Sequence, residues 1–332
     1  MVARDPEQAL PDKPLGRPLR IAFLGSPGLA VTSLNALLSQ PDLCKIVQVV
    51  AQPDKPAGRG QRLRPPAVAQ RAAALGLPLC QPRKVRSGDF PQLIESLQLD
   101  VMVVVAYGRI LTTRLLEAPA HGCINLHASL LPAYRGAGPI QWALINGERE
   151  TGVSTMWMEE GLDTGPILQQ QSTPIQAAET AFELGERLAE LGAELLCSTL
   201  LALRDGQLSA HRQPEQGVSH APLLSRQDGQ IDWTESAAQL DARIRGVTPW
   251  PGARCGYRGQ PLKILAGHPD TELPPPGSKP GQVIRIDDLG VSVCCGQGAL
   301  VLTRVQPVGR KAQTVSDFLR GYGLELGEGL QL

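Results

Sequence analysis

Asp100-Val-Met-Val-Val-Val-Ala-Tyr107 is the most apolar strand-like segment of this 332-residue sequence. Its apolar residues follow one another without polar residues between them, which predicts a strand that is covered on both faces. Such strands belong to parallel sheets, because the crossover helices of a parallel sheet lie on both of its faces. The segment therefore predicts an α/β fold with a buried parallel sheet.

The sequence around this segment repeats a strand pattern followed by a helix pattern. The strand patterns lie at residues 19–25, 45–51, 122–127, 152–158 and 167–174. The helix patterns lie at residues 28–38, 90–98, 111–117 and 179–204, and the last of these has leucines at helical spacing. The alternation predicts a doubly wound, Rossmann-like α/β domain.

The pattern changes after residue 206. Asp205-Gly206 ends the long helix pattern, and the residues that follow have the composition of a linker. Short β-like runs then alternate with Gly, Pro and Asp turns, and we predict one helix among them, from Ser236 to Arg245. This pattern predicts a small, OB-like β-barrel domain. The predicted organisation is an N-terminal extension, an α/β domain, a linker and a β-barrel domain, at residues 1–18, 19–206, 207–222 and 223–332.

Composition argues against several classes of protein. Lys plus Arg and Asp plus Glu both total 32, so the chain is not a wholly basic nucleic-acid-binding module. The seven cysteines are scattered and include no C-x-x-C pair, which argues against a disulfide framework and a zinc site. No apolar run approaches the roughly 18 residues of a membrane span, and residues 1–18 lack a signal-peptide core. We expect a soluble, cytoplasmic, monomeric protein that needs no metal.

Gly25-Ser26-Pro27-Gly28 lies where the first strand meets its helix, which is the place of a dinucleotide-binding fingerprint. The segment lacks the third glycine of G-x-G-x-x-G, and Gln52-Pro53 stands where an acidic residue would end the second strand. We therefore interpret the glycines as a strand-to-helix turn and predict no nucleotide cofactor.

Asn125 and His127 lie two residues apart at the end of a predicted strand, so their side chains project to the same side. An amide can donate to a developing oxyanion and an imidazole can manage a proton, which are the needs of acyl-type transfer. A structural asparagine beside a buried histidine explains the pair equally well. Asp163 favours the catalytic alternative, because it lies in a turn after another predicted strand and a carboxylate can orient an imidazole.

Ser129 is close enough in sequence to this pair to suggest a serine nucleophile. No G-x-S-x-G elbow surrounds it, and Leu130-Leu131-Pro132 follows instead. We interpret Ser129 as a residue that caps a turn or lines a pocket.

The pattern Asn-x-His-x-Ser-Leu-Leu-Pro-x-x-Arg-Gly, which starts at Asn125, and Gly-x-Asp-Thr-Gly around Asp163 resemble the folate-dependent formyltransferases. Other segments are similar to the members of that family that act on methionyl-tRNA, namely residues 52–60, 100–108, 231–233 and 249–251. The likeness runs from residue 19 to about residue 319. It implies a Rossmann-like formyltransferase domain followed by an OB-like domain that binds tRNA.

The resemblance also implies the site residues. Asn125, His127 and Asp163 match the catalytic residues of the family. The formyl donor, 10-formyltetrahydrofolate, is implied to bind beside two segments, which comprise Ala106, Tyr107 and Gly108, and Ser129, Leu130, Leu131 and Pro132. The implied acceptor is the α-amine of methionyl-initiator tRNA, in support of translation initiation, and the alternative is a UDP-amino sugar. Gly28-Leu29 departs from the family, whose members commonly have an acidic and an aromatic residue there.

Ala51–Pro66 is a cationic, proline-rich segment. It carries Lys55, Arg59, Arg62 and Arg64 against a single Asp54, and its prolines and glycines predict neither helix nor strand. A solvated surface loop is one interpretation, but a loop of this length after a sheet strand is uncommon unless it is functional. The resemblance implies that the loop enters the acceptor-stem end of initiator tRNA, with Arg59 at the position of the family's key arginine. A small sugar has no use for four cations, so the loop favours the tRNA acceptor.

The C-terminal region holds basic residues that could follow a tRNA backbone: Arg243, Arg245, Lys263, Arg304, Arg310 and Lys311. Lys263, Arg310 and Lys311 are the predicted tRNA contacts among them. Scattered solvated charges explain these residues nearly as well, because residues 210–332 hold 13 basic and 12 acidic side chains. A protein that binds folate or tRNA without catalysis is a further alternative, against which the intact Asn125, His127 and Asp163 argue.

Overall fold

The computed structural model describes residues 13–58 and 60–331. Most of the predicted N-terminal extension, and Arg59, lie outside the described residues. The chain divides into two compact units. The first comprises the described residues up to Pro139 with Thr151–Thr173 and Gly185–Pro222, and the second comprises Ile140–Glu150, Pro174–Leu184 and the residues from Leu223 onward. The domain boundaries drawn from the sequence stay predictions.

Strands and helices alternate through the first two thirds of the chain. In chain order they are β1 (Leu19–Gly25), α1 (Gly28–Leu38), β2 (Cys44–Val50), β3 (Lys55–Ala57), β4 (Arg62–Arg64), α2 (Ala67–Ala74), β5 (Leu79–Cys80), α3 (Asp89–Ser96), β6 (Val101–Val105), α4 (Thr113–Leu116), β7 (Cys123–His127), β8 (Arg135–Gly136), α5 (Pro139–Ile145), β9 (Glu150–Trp157), β10 (Ile167–Pro174), α6 (Ala181–Arg204) and β11 (His220–Ala221). The remaining elements are α7 (Ala237–Gly246), β12 (Ala253–Tyr257), β13 (Gln260–Pro269), β14 (Val283–Asp287), β15 (Gly290–Cys294), β16 (Ala299–Pro307), β17 (Gln313–Thr314) and α8 (Val315–Tyr322).

The first unit is built on a seven-stranded sheet with the order β10-β9-β7-β6-β1-β2-β5. The strands from β7 to β5 in this order are parallel, and β9 is antiparallel to β7. The chain moves outward from β1 to β5 on one side and then returns to β6 on the other side of β1. Such a reversal opens a crevice at the carboxyl edge of the sheet, where α/β proteins bind their ligands.

Both faces of the central strands of this sheet are buried, which explains the unbroken apolar runs in the sequence. Alternate residues of β1 enter different hydrophobic clusters. Ile21 and Phe23 lie in a cluster with residues of α1 and α6, whereas Ala22 and Leu24 lie in a cluster with residues of α3 and α4. The prediction of a doubly wound parallel sheet is confirmed.

Asp100, which directly precedes β6, stabilises the opposite, amino edge of the sheet. Its carboxylate accepts hydrogen bonds from the Arg17 guanidinium at 2.6 and 2.8 Å and from the backbone N–H of Arg20 at 2.7 Å. Burial alone would raise the pKa of Asp100, but the hydrogen bonds from Arg17 and Arg20 outweigh burial and hold that pKa below its usual value. The ionised carboxylate therefore contributes to stability at neutral pH.

Replacement of Arg17 by alanine should lower the free energy of unfolding by about 1–2 kcal/mol at pH 7, because a charge-assisted pair with a half-exposed partner is lost. A carboxylate with a lowered folded-state pKa contributes stability above its unfolded-state pKa of about 4 and loses it as the pH falls. The gap between Arg17→Ala and the wild type should therefore shrink below about pH 4. Urea unfolding at several pH values measures the difference in free energy of unfolding between the two proteins. Arg83→Ala is the control, because Arg83 is exposed. A difference in free energy that stays constant down to acid pH would contradict a contribution from the ionised Asp100.

The second unit is β-rich. Its antiparallel strands have the order β12-β13-β16-β15-β14, and β17 pairs with β16. Leu240 of α7, Ile264 of β13, Leu302 of β16 and Phe318 of α8 share one hydrophobic core. Within the described residues no pairing joins β14 to β12, so the sheet is open there.

Two local predictions were wrong. The Ala51–Pro66 segment contains the two-stranded pair β3–β4, although its prolines argued against any strand. The C-terminal region contains a second helix, α8, which follows Thr314 as its N-cap, with the Thr314 side chain accepting from the N–H of Asp317. Packing explains α8, since Phe318 is buried, stacks on Tyr322 with ring centroids 4.6 Å apart and meets Tyr257 edge-on.

The described part of the chain contains no helix with the length and apolarity needed to cross a membrane. Its seven cysteines are free thiols. Burial raises the pKa of the Cys44 and Cys255 thiols to about 12. Both are therefore protonated at neutral pH and are poor nucleophiles.

Candidate active site

Asn125, His127 and Asp163 come together at the carboxyl edge of the sheet. Asn125 and His127 lie on β7, and Asp163 lies in the turn between β9 and β10. The Asp163 carboxylate is the meeting point, with Oδ1 3.5 Å from Asn125 Nδ2 and Oδ2 3.7 Å from His127 Nδ1. The side chains of His127 and Asp163 are 7% and 16% exposed, so the cluster is largely shielded from solvent. The structure thus brings together the three residues that the sequence singled out.

A backbone group fixes the Asp163 carboxylate. The N–H of Gly136 donates to Asp163 Oδ2 at 2.9 Å. Gly136 has a φ of +125°, and a Cβ there would lie 2.5 Å from the carbonyl oxygen of Ala221. Only glycine therefore lets the backbone come this close, which accounts for the Arg135-Gly136 pair in the motif.

The contacts of His127 determine which of its nitrogens can act. Its Nε2 lies 2.9 Å from the carbonyl oxygen of Tyr134. A carbonyl only accepts, so Nε2 carries a hydrogen and donates it. In the neutral ring, Nδ1 is then the basic nitrogen, and Nδ1 faces Asp163 at a distance beyond that of a direct hydrogen bond. Nδ1 is therefore the atom through which His127 can take up or release a proton.

Ser129 holds a turn rather than presenting a nucleophile. Its hydroxyl donates to the carbonyl oxygen of Ala133 at 2.6 Å, and its own carbonyl accepts from the Ser154 hydroxyl at 2.6 Å. The residue is fully buried. Leu131 is buried as well, whereas Leu130 and Pro132 are half-buried. Of this predicted folate segment, Leu130 and Pro132 are thus the side chains that can meet a ligand.

The other predicted folate segment follows β6 at the reversal of the strand order. Ala106 and Gly108 are exposed and have left-handed backbones, with φ of 47° and 72°. The Gln52 amide donates to the carbonyl oxygens of Tyr107 at 2.7 Å and of Gly108 at 3.2 Å. Tyr107 points into the core, and burial raises its pKa to about 12. The Tyr107 side chain therefore anchors the segment in the core.

The predicted tRNA-binding cations of the first unit lie on the β3–β4 pair. Lys55 lies directly opposite Arg64, and Arg62 lies opposite Ala57. Lys55, Arg62 and Arg64 are all exposed. Like charges placed opposite one another destabilise a strand pair, so this arrangement is unfavourable without a neutralising partner. Arg59 belongs to the same segment but lies outside the described residues.

The basic residues of the C-terminal region fall into two groups. Lys263, Arg304, Arg310 and Lys311 are exposed. Arg243 instead pairs with Glu235 at 2.8 Å, and Arg245 pairs with Asp241 at 2.9 Å. The exposed group is therefore the better candidate for contacts with an anionic partner.

Sequence reasoning missed several residues around this cluster. Tyr134 and Gly136 supply backbone groups, and Gln213 and Ser219 approach from the predicted linker. Hydrogen bonds between segments far apart in the chain leave no periodic pattern in the sequence. The only signal was the motif itself, which ends on Arg135-Gly136.

Comparison with known families decides the relationship of the chain. The model described as formyl transferase matches residues 19–200, and the model described as formyl transferase, C-terminal domain, matches residues 223–323. The chain belongs to the formyl transferase family. The candidate cluster lies within the residues that the first model matches.

Individual formyl transferase relatives are similar over nearly the whole chain. The methionyl-tRNA formyltransferase of Sorangium cellulosum is 45% identical over 93% of this chain and 98% of its own length. That of Anaeromyxobacter dehalogenans is 47% identical over 91% of this chain and 97% of its own length.

Solved structures with the formyl transferase fold are more distant in sequence. The N-formyltransferase of Helicobacter canadensis, in complex with folinic acid and dTDP-3-aminofucose, has a TM-score of 0.63 at 17% identity, covering 86% of this chain and 98% of its own. HypX of Aquifex aeolicus, in complex with tetrahydrofolic acid, has a TM-score of 0.60 at 17% identity, covering 91% of this chain. This chain covers 47% of the length of HypX. At these identities the likeness shows the fold alone.

Proposed function

We propose that this formyltransferase moves a formyl group from 10-formyltetrahydrofolate to the α-amine of methionyl-initiator tRNA, and so supports translation initiation in the cytoplasm. The convergence of Asn125 and His127 on the Asp163 carboxylate is the observation that carries the proposal. The exposed cations of β3–β4 lie at the same carboxyl edge, because β3 follows directly on β2. The relatives that cover almost the whole chain are named for this reaction.

The residues present at the reversal of strand order fit a folate donor. The left-handed backbone at Ala106 and Gly108 leaves an open strand end with no bulky side chain, because Tyr107 is turned into the core. Leu130 and Pro132 offer apolar surface on the neighbouring strand end. We propose that these residues hold the donor, which supplies an activated formyl group when bound.

The candidate cluster can serve both needs of formyl transfer. The attacking amine forms a bond to the formyl carbon, the bond from that carbon to the folate nitrogen breaks, and the amine proton must move to the departing nitrogen. Asn125 has a side-chain N–H beyond the one directed at Asp163, and we propose that it donates to the oxygen that gains charge. His127 Nδ1 and the Asp163 carboxylate face each other and can pass on the proton.

The second unit is proposed to hold the tRNA beyond its acceptor end. Exposed Lys263, Arg310 and Lys311 would contact phosphates, which provide affinity without reading sequence. An OB-like barrel would present such a surface. Because the sheet is open in the described residues, the barrel stays a prediction. A monomer also remains our prediction, which light scattering in solution would check.

Formyl transfer assays with two acceptors test this function. The purified protein should formylate methionyl-initiator tRNA from 10-formyltetrahydrofolate and should be inactive on a UDP-amino sugar. Preference for the amino sugar would replace the proposed acceptor with this alternative. A second comparison, initiator against elongator methionyl-tRNA, measures whether the protein selects the initiator.

A further inference from the structure

Residues 211–221, which lie in the predicted linker, are hydrogen-bonded at both ends and at Gln213 to segments around the candidate active site, and we call this segment the strap. At one end, the backbone of His211 exchanges two hydrogen bonds of 2.8 Å with Ile167. At the other end, β11 pairs with β8 in parallel, and Ser219 accepts from the N–H of Arg135 at 2.9 Å. The strap thus contacts both chain segments that flank Asp163 and His127.

Gln213 lies in the middle of the strap, and its side-chain amide is fully used. Its Nε2 donates to the carbonyl oxygens of Asp163 and Gly165, both at 2.8 Å. Its Oε1 accepts from Arg135 Nε at 3.0 Å and from Nη2 at 2.6 Å. A glutamine amide has two N–H donors and one oxygen with two lone pairs, so every group is satisfied. Only this orientation of the amide fits, because the carbonyls need donors and the guanidinium needs an acceptor.

These bonds stabilise the Asp163 turn, whose backbone is left-handed at Asp163. Asp163 has a φ of +53°, and a non-glycine residue in the left-handed region costs about 1–2 kcal/mol. Gln213 fixes the backbone carbonyls of Asp163 and Gly165, while Gly136 fixes the carboxylate. The direction of the carboxylate towards His127 and Asn125 depends on both ties.

We propose that Gln213 is a positioning residue for formyl transfer, which acts through Asp163 and does not itself touch the substrates. The proposal rests on the proposed function. It places a determinant of catalytic geometry in the strap, between the two segments that the family models match.

Gln213→Ala should lower kcat by about 10- to 100-fold, because groups that orient a catalytic side chain have effects of this size. The KM values for the folate donor and for methionyl-tRNA should stay within about twofold, since no substrate contact is removed. Gln216→Ala is the matched control, because Gln216 lies in the same strap with an exposed side chain. It should behave as the wild type.

A double-mutant cycle separates positioning from a general loss of structure. In a protein that already carries Asp163→Asn, the further change Gln213→Ala should lower kcat by less than about threefold, because the group that Gln213 positions no longer acts. Losses that multiply in the double variant would overturn the proposal. A wild-type kcat for Gln213→Ala would also overturn the proposal, as would a raised KM with unchanged kcat.

Gln213→Glu guards against a variant that fails to fold. It keeps the size of the side chain and the acceptor for Arg135 but lacks the N–H donors for Asp163 and Gly165. Its kcat should fall as for Gln213→Ala, and a wild-type kcat would count against the proposal. If the wild type formylates only the amino sugar, the proposed acceptor fails and the same cycle is measured with that sugar. A wild type inactive on both acceptors would overturn the proposed function and this proposal together.

Discussion

Replacement of Asp163 by asparagine should lower kcat for formyl transfer by about 10²- to 10³-fold, with methionyl-tRNA affinity within about twofold of the wild type. The reason is the position of its carboxylate, which lies 3.5 Å from Asn125 Nδ2 and 3.7 Å from His127 Nδ1. Asparagine keeps the shape but removes the charge that faces the imidazole and the acceptor for the proton. His127→Ala should have an effect of similar size, because Nδ1 is the ring atom directed into the cluster.

Steady-state formyl transfer and filter binding of methionyl-tRNA give the two quantities for each variant. Asp288→Asn is the matched control, because Asp288 is an exposed carboxylate in the turn between β14 and β15. It should leave both quantities unchanged. Equal losses of turnover and of tRNA affinity for Asp163→Asn would contradict the catalytic assignment and favour a structural role for the cluster.

Removal of the three described cations of the β3–β4 pair should weaken methionyl-tRNA binding by about 10- to 100-fold near physiological salt. Lys55→Ala, Arg62→Ala and Arg64→Ala together delete exposed charges that a phosphate backbone can neutralise. Each lost phosphate contact should reduce the slope of log affinity against log salt by roughly 0.7–0.9, so three lost contacts should reduce it by about 2 to 3. Binding measured across a salt series gives both values.

Two controls accompany the triple variant. Exchange of the same residues for Arg, Lys and Lys keeps the charge, so the salt slope should be retained. Lys45→Ala removes an exposed cation from the opposite end of β2 and should have little effect. An unchanged slope in the triple alanine variant would exclude these cations from the tRNA interface. Arg59, which lies outside the described residues, is tested separately: Arg59→Ala should reduce the preference for initiator over elongator tRNA.

The parts that the sequence could predict are those with a repeating pattern. The apolar run of β6 indicated a sheet buried on both faces. Residues of β1 lie in two hydrophobic clusters, one on each face of the sheet, which confirms this burial. The two-residue spacing of Asn125 and His127 indicated a shared face, because a strand alternates its side chains. The position of Asp163 beside them came instead from its turn and from the family resemblance.

The parts that it could not predict depend on contacts between distant segments. The β3–β4 pair forms against the preference of its prolines and places like charges opposite each other. The bonds of Gln213 join residues 50 and 78 positions apart, with no local pattern to indicate them. Helix α8 is stabilised by the packing of Phe318 between aromatic rings, which a short amphipathic stretch does not announce.

The contacts of the strap determine where the chain can be joined to a related one in a chimeric protein. The two family models leave residues 201–222 unmatched between them, which invites a junction directly after helix α6. A chimera joined there would replace Gln213 and Ser219 together with the second unit, and the Asp163 turn would lose its hydrogen bonds from Gln213. A junction after Pro222 keeps these residues with the catalytic unit. The second unit can therefore be exchanged without disturbing the Asp163 turn only if residues 211–221 stay with the first unit.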